Sequence, residues 1–238
     1  MIAKGGKAIY GASVGILMLE ARFPRIPGDM GNAESWPFPV LYRVVRGASP
    51  ERVVRRNAEG TLDAFVDAAQ GLVADGADGI TTNCGFLSLF QDDLAAAVGV
   101  PVVSSSLMQV PMVNATLPRG KRAGVLTISA STLSASHLDA AKVPEGTPIE
   151  TTEGGAEFTR AILGNEERLD VEKARADNVV AARRLAGNPE VGAIVLECTN
   201  MCPYAADIAV ATGLPTYSMV DLVTWFHAGL RPRRFSVQ

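Results

Sequence analysis

The sequence predicts an α/β protein of two pseudo-symmetric lobes, each a mainly parallel sheet flanked by helices, with an active site in the cleft between them. Two observations predict this. Short, nearly continuous apolar runs alternate with longer helical patterns, as in βαβ units whose sheets are covered on both faces. The chain also repeats itself. With Gly99-Val100-Pro101 set on Gly213-Leu214-Pro215, an ungapped offset of 114 residues puts Ile80 on Ile194, Cys84 on Cys198, Asp93 on Asp207, Ala97 on Ala211 and Ser104 on Ser218. Each half reads as apolar strand, Cys-bearing turn, Ala-rich helix, Gly-x-Pro and a second short strand.

Taken in order, strands are expected at 8–11, 40–45, 79–82, 100–103, 124–128, 193–196 and 215–217. Helices are expected at 51–74, 87–98, 133–141, 157–163, 171–185, 204–211 and 222–230. Ser49-Pro50-Glu51 is a helix start, with a capping side chain followed by Pro at the first helical position. The repeat extends to the start of each half: residues 8–13 resemble 124–129 at an offset of 116, an apolar strand ending in a small residue and a Ser. The lobe boundary falls near Pro118-Arg119-Gly120-Lys121. The first lobe is thus 1–118 with 219–238, its last helix packing back, and the second is 119–218. Residues 23–39 hold Pro24, Pro27, Pro37 and Pro39 with Gly28 and Gly31, and read as a loop long enough to be a lid or a binding element.

Composition excludes several classes. At 238 residues with 47% hydrophobic and 20% charged residues, the chain has ample apolar surface for a core. A net charge of −3 offers no basic footprint for nucleic acid or an anionic membrane. No apolar run approaches the roughly 20 residues that span a bilayer, and the N-terminus lacks a secretory pattern. Three cysteines, an odd number, argue for a reducing compartment, and the cytoplasm is the expected location. Phosphate loops and the Gly-x-Ser-x-Gly elbow are absent, so nucleotide binding and that nucleophile arrangement get no support. A homodimer is the expected assembly from the frequency of such oligomers.

Chemistry concentrates at the two cysteines. Cys84 and Cys198 each follow a strand and precede a helix, the place where ligands bind in open parallel sheets. Unpaired N–H groups there are expected to lower a thiol pKa below its reference of about 8.5 and to bind a carboxylate. Two thiols facing opposite sides of a carbon would form an acid/base pair. The expected substrate-binding neighbours are Ser13, Thr82, Asn83, Gly85, Ser104, Ser105, Thr127, Thr199 and Asn200, neutral donors around a small carboxylate substrate. Cys202 lacks a repeat partner, Ser88 standing in its place, and is expected to be structural. A zinc site with Cys198 and Cys202 would need a histidine, and His137 and His227 both fall on expected helices away from the cleft.

Leu196-Glu197-Cys198-Thr199-Asn200 resembles the Gly-Cys-Thr-His or Gly-Cys-Thr-Glu segment around the second cysteine of the aspartate/glutamate racemase superfamily. Thr82-Asn83-Cys84-Gly85 resembles that superfamily's Cys-Asn-Thr segment, with the cysteine displaced by two positions. The resemblance implies two α/β lobes, one catalytic cysteine from each, and cofactor-independent chemistry. The expected activity is a racemase or epimerase of a small carboxylate, by proton transfer at the α-carbon between Cys84 and Cys198. The alternatives are the superfamily's isomerase and decarboxylase reactions, or carboxylate binding without catalysis. Ala12-Ser13 and Asn200 stand where glutamate racemases carry an Asp-Ser and a His, which removes auxiliary acid/base residues and argues against glutamate itself.

Overall fold

The structure is a computed structural model and describes residues 2–235. It contains two four-stranded, wholly parallel sheets. The first has the order β2-β1-β3-β4, from β1 (Val14–Leu19), β2 (Val40–Val45), β3 (Gly79–Thr82) and β4 (Val102–Val103). The second has the order β6-β5-β7-β8, from β5 (Arg122–Thr127), β6 (Ile149–Thr151), β7 (Val191–Leu196) and β8 (Thr216–Tyr217). The two orders are the same topology written twice.

The repeat at 114 residues holds element by element. β3 ends at Thr82 and β7 at Leu196; a 3₁₀ turn follows at Gly85–Phe90 and at Thr199–Tyr204. Helix α2 (Gln91–Val98) then matches α7 (Ala205–Thr212). Both helices end on a left-handed glycine, Gly99 at φ 65° and Gly213 at φ 69°, a backbone that a Cβ would strain. In each half this turn throws the chain back into the short edge strand.

Four helices complete the first half and its flank. These are α1 (Leu62–Asp75) on the first sheet, α3 (Val110–Thr116) and α4 (Ala135–Ala140) near the junction, and α8 (Met219–Leu230). Two more, α5 (Phe158–Leu163) and α6 (Val171–Ala186), cover the second sheet. α8 packs on the first sheet: a Cβ at Gly79 would lie 2.6 Å from the Phe226 ring. The period-2 alternation of β1 explains this layering. Leu17 and Leu19 join the large core, whereas Val14, Ile16 and Met18 face the cluster with Met219, Leu222, Val223 and Phe226 of α8.

Three sequence expectations are corrected. Residues 8–11 are not a strand: Tyr10 is exposed, Gly11 has φ 92°, and the true first strand begins at Val14. Sheet pairing sets Leu17 opposite Thr82 and Leu126 opposite Leu196, so β1 matches β5 at an offset of 109, not 116. The expected helix 51–74 breaks into a π turn (Glu51–Arg55) and α1, because Asn57, Ala58 and Gly60 all take positive φ. Finally, β6 and α3 were not anticipated; β6 has three residues, too few for a periodic signal.

Candidate active site

Cys84 and Cys198 line one small cavity of about 20 Å³ between the sheets, with Leu19, Phe23, Pro50, Val54, Asn83, Phe86, Ile128, Ile162, Leu163, Glu197, Thr199 and Asn200. The lining obeys the repeat. Leu19 ends β1 and Ile128 directly follows β5, while the register sets Asn83 on Glu197, Cys84 on Cys198, and Phe86 on Asn200. The folding logic is local: each cysteine leaves a buried parallel strand in extended conformation and opens a 3₁₀ turn, so its side chain stays at the sheet's carboxyl edge.

Each thiol faces backbone donors of its own turn, the Phe86 and Leu87 amides at Cys84 and the Asn200 amide at Cys198. The Cys198 thiol also donates to Asn200 Oδ1 at 3.6 Å. These donors do not produce the lowered thiol pKa expected from the sequence. Both cysteines are buried, and desolvation, reinforced by the nearby Glu197 carboxylate, pushes Cys84 up to about 12 and Cys198 well above its ordinary value. Dehydration of the thiolate outweighs the turn's amides.

The residue that sequence reasoning missed is Glu197. It is fully buried, its Oε2 accepts from Thr127 Oγ1 at 2.8 Å, and its Oε1 has no partner. Burial raises its pKa to about 7, against the opposing hydrogen bonds from Thr127 and the Ile128 amide. The signal was present in the 114-residue register, which sets Glu197 on Asn83. Asn83 Oδ1 accepts from the Leu19 amide at 2.8 Å, and Leu19 is the pairing equivalent of Ile128. One lobe thus presents an amide, the other an acid, at the same station.

The remaining expected residues divide by position. Asn83, Thr199 and Asn200 line the cavity, and Thr199 Oγ1 ties the lobes together by donating to Asn83 O at 2.6 Å. Thr82, Thr127, Ser104 and Ser105 stand outside the lining, where the sequence placed them as ligand donors. Thr82 Oγ1 bonds Ser104 O at 2.6 Å and supports the Cys84 turn; Thr127 holds Glu197; Ser105 accepts from the Leu107 amide as a turn cap. The Ser104 hydroxyl is buried without a partner, and its amide is held by Gln91 Oε1. Gly85 makes room for the acid of the other lobe: a Cβ there would lie 2.2 Å from Glu197 Oε1. Ser13 is a correction. It precedes β1 at the opposite edge of the sheet, where its hydroxyl meets Arg231 and its carbonyl accepts from the Asp78 and Gly79 amides. It was placed at the cleft only because residues 8–11 were read as the strand.

Residues 23–39 contribute Phe23 to the cavity and cross to the second cysteine turn. Asn200 Nδ2 donates to Asp29 Oδ2 at 2.6 Å, and Asp29 Oδ1 pairs with Arg25 at 2.8 Å. The guanidinium covers the Phe23 ring at 4.7 Å, and its second terminal nitrogen is buried without a partner. Cys202 belongs to the second core cluster with Met30, Trp36 and Met219. His137 lies against Phe86, ring centroids 4.9 Å apart, and outside the cavity lining. Among the described residues, no three His, Cys, Asp or Glu side chains group as a metal site, and no helix is long and apolar enough to cross a membrane.

Two parallel sheets in one repeated topology are a fold shared with solved structures of an arylmalonate decarboxylase and of aspartate, glutamate and allantoin racemases. The chain superposes on a liganded variant of arylmalonate decarboxylase with a TM-score of 0.64 at 16% identity, covering 95% of both chains. It superposes on the aspartate racemase of Picrophilus torridus with a TM-score of 0.61 at 13% identity, covering 94% of this chain and 96% of that one. In sequence it is similar to a dimethylsulfoniopropionate lyase of Durusdinium sp. clade D, 29% identical over 92% of this chain and 75% of that protein. It is also similar to dimethylsulfoniopropionate lyase 7 of Emiliania huxleyi, 28% identical over 94% of this chain and 69% of that protein. No family model matches the chain.

Proposed function

We propose that this protein is a cofactor-independent lyase that removes the α-proton of a small carboxylate with a cysteine thiolate and expels a β-substituent, with dimethylsulfoniopropionate as the first candidate substrate. The observation that carries the reading is a two-thiol cavity in a chain similar over most of its length to lyases of that substrate. Elimination from a 3-sulfoniopropionate is balanced simply. The Cα–H bond breaks and an S–H bond forms on the enzyme; the β-carbon–sulfur bond breaks; acrylate, dimethyl sulfide and, after the thiol sheds it, one proton leave.

The lining suits such a substrate. Phe23 and Phe86 put aromatic rings in the lining, and attraction of a sulfonium to an aromatic ring contributes about 0.5–2 kcal/mol. Asn83, Thr199 and Asn200 supply neutral polar groups to the carboxylate end. The cavity's asymmetry favours a one-base reaction: Asn83 and Glu197 occupy equivalent stations, so the two faces are not served alike. The second reading is a racemase or epimerase with Cys84 and Cys198 as a two-base pair, supported by the racemase fold and the repeat-equivalent thiols. One experiment separates the readings. Proton NMR in D₂O with dimethylsulfoniopropionate and a panel of amino acids and hydantoins shows vinyl signals for a lyase. Cα-proton exchange without a new alkene indicates a racemase, and silence throughout contradicts both.

A further inference from the structure

We propose that Glu197 is the proton acceptor that converts a cleft thiol to thiolate, a role resting on the cysteine chemistry proposed above. The cleft needs one. Both thiols are buried away from water, and the groups lining their cavity include a single carboxyl. That carboxyl adjoins Cys198 in the chain and packs against Gly85, next to Cys84, closely enough that any side chain at 85 would collide with it. One oxygen is held by Thr127 while Oε1 is buried with no hydrogen-bond partner, an acceptor left open in a packed interior. The Asn at the equivalent station of the other lobe has its oxygen engaged by a backbone amide. The acid is therefore a departure from the repeat confined to one side of the cleft.

The step balances without a co-reactant. The S–H bond breaks, an O–H bond forms on the Glu197 carboxylate, and one negative charge passes from oxygen to sulfur. Ionising both groups together is disfavoured, because two like charges in a buried cleft repel strongly. The cleft accordingly carries one negative charge near neutral pH, resting on the Glu197 carboxylate and passing to sulfur as the thiol proton moves to it. After the thiolate has taken the substrate α-proton, release of one proton to solvent restores the starting state.

The test uses the full chain and needs no substrate. The rate of iodoacetamide alkylation at Cys84 and Cys198 is measured from pH 5 to 10 by peptide mass spectrometry, in wild type and in Glu197→Gln. Wild type is expected to show a rise in rate with a midpoint near pH 7, where the carboxyl ionises, ahead of the further rise as the thiols ionise directly at higher pH. In Glu197→Gln the midpoint moves up by two pH units or more, and turnover at pH 7.5 falls about 100-fold, the low end for a general base. An unchanged midpoint in Glu197→Gln overturns the proposal. If that variant does not fold, Thr127→Val keeps the acid but removes its hydrogen bond. Its midpoint is expected above that of wild type, and an unmoved midpoint again overturns the proposal. A midpoint that moves in a protein without lyase or racemase activity refutes the reaction and upholds Glu197; a fixed midpoint in an active enzyme refutes Glu197 alone.

Discussion

Replacing Glu197 by Gln perturbs stability in a way that depends on pH, with a sign fixed by burial. The folded protein raises the Glu197 pKa from 4.5 to about 7. The folded state therefore binds this proton more tightly than the unfolded chain does. The protonated carboxyl's contribution is complete below pH 4.5 and is lost as pH rises through 7. A shift of about 2.5 units at 1.36 kcal/mol each is about 3 kcal/mol. Glutamine keeps the shape and does not titrate. Urea denaturation of both proteins at each pH from 4 to 8 gives the difference between them, in which the other titrating groups cancel. The free energy of unfolding of wild type relative to Glu197→Gln is expected to fall by about 3 kcal/mol across that range, roughly 6–12 °C in Tm for a chain of this size. A difference flat within about 0.5 kcal/mol would refute a carboxyl desolvated in the cleft.

Other substitutions test the packing around it. Gly85→Ala places a Cβ 2.2 Å from Glu197 Oε1 and 2.4 Å from its carbonyl oxygen. A loss of about 1–3 kcal/mol is expected by calorimetry, because the backbone of the opposite lobe has to move. His137 is buried and held near a pKa of 4 by desolvation, so its neutral form stabilises fully above pH 6.5 and that contribution is lost as pH falls through 4. His137→Gln keeps a side-chain acceptor for the Ser134 amide that Nδ1 now takes, and is expected to flatten the stability profile between pH 6.5 and 4. Cys202→Ala removes a thiol from the core beside α8 and is expected to leave turnover within about threefold of wild type while lowering Tm by a few degrees.

The part of the fold visible in the sequence is the part that repeats. β3, the cysteine turns, α2 and their counterparts were legible because one register aligned apolar runs, cysteines and Gly-x-Pro without a gap. β1 was not, since the pattern at 8–13 imitated the end of a strand and drew attention from Val14–Leu19, a run buried on both faces that shows no alternation. That error carried Ser13 to the wrong edge of the sheet. The cysteines and the amides beside them were found from their residue types and place in the repeat. Glu197 was passed over because acidic residues are ordinarily solvated, and neither its burial nor the missing partner at Oε1 has a signature in local sequence. The reversed thiol pKa has the same origin: helix-end amides are read from sequence, whereas desolvation arises only when the lobes close over the cleft.

Removal of the substrate's α-proton by a cleft cysteine is tested on the cysteines themselves. The most direct test is acrylate formation from dimethylsulfoniopropionate by wild type, Cys84→Ala and Cys198→Ala, each shown to be folded by circular dichroism. Vinyl signals are expected with wild type, and a loss of at least about 100-fold in one or both variants. Elimination at the wild-type rate in both variants would contradict it.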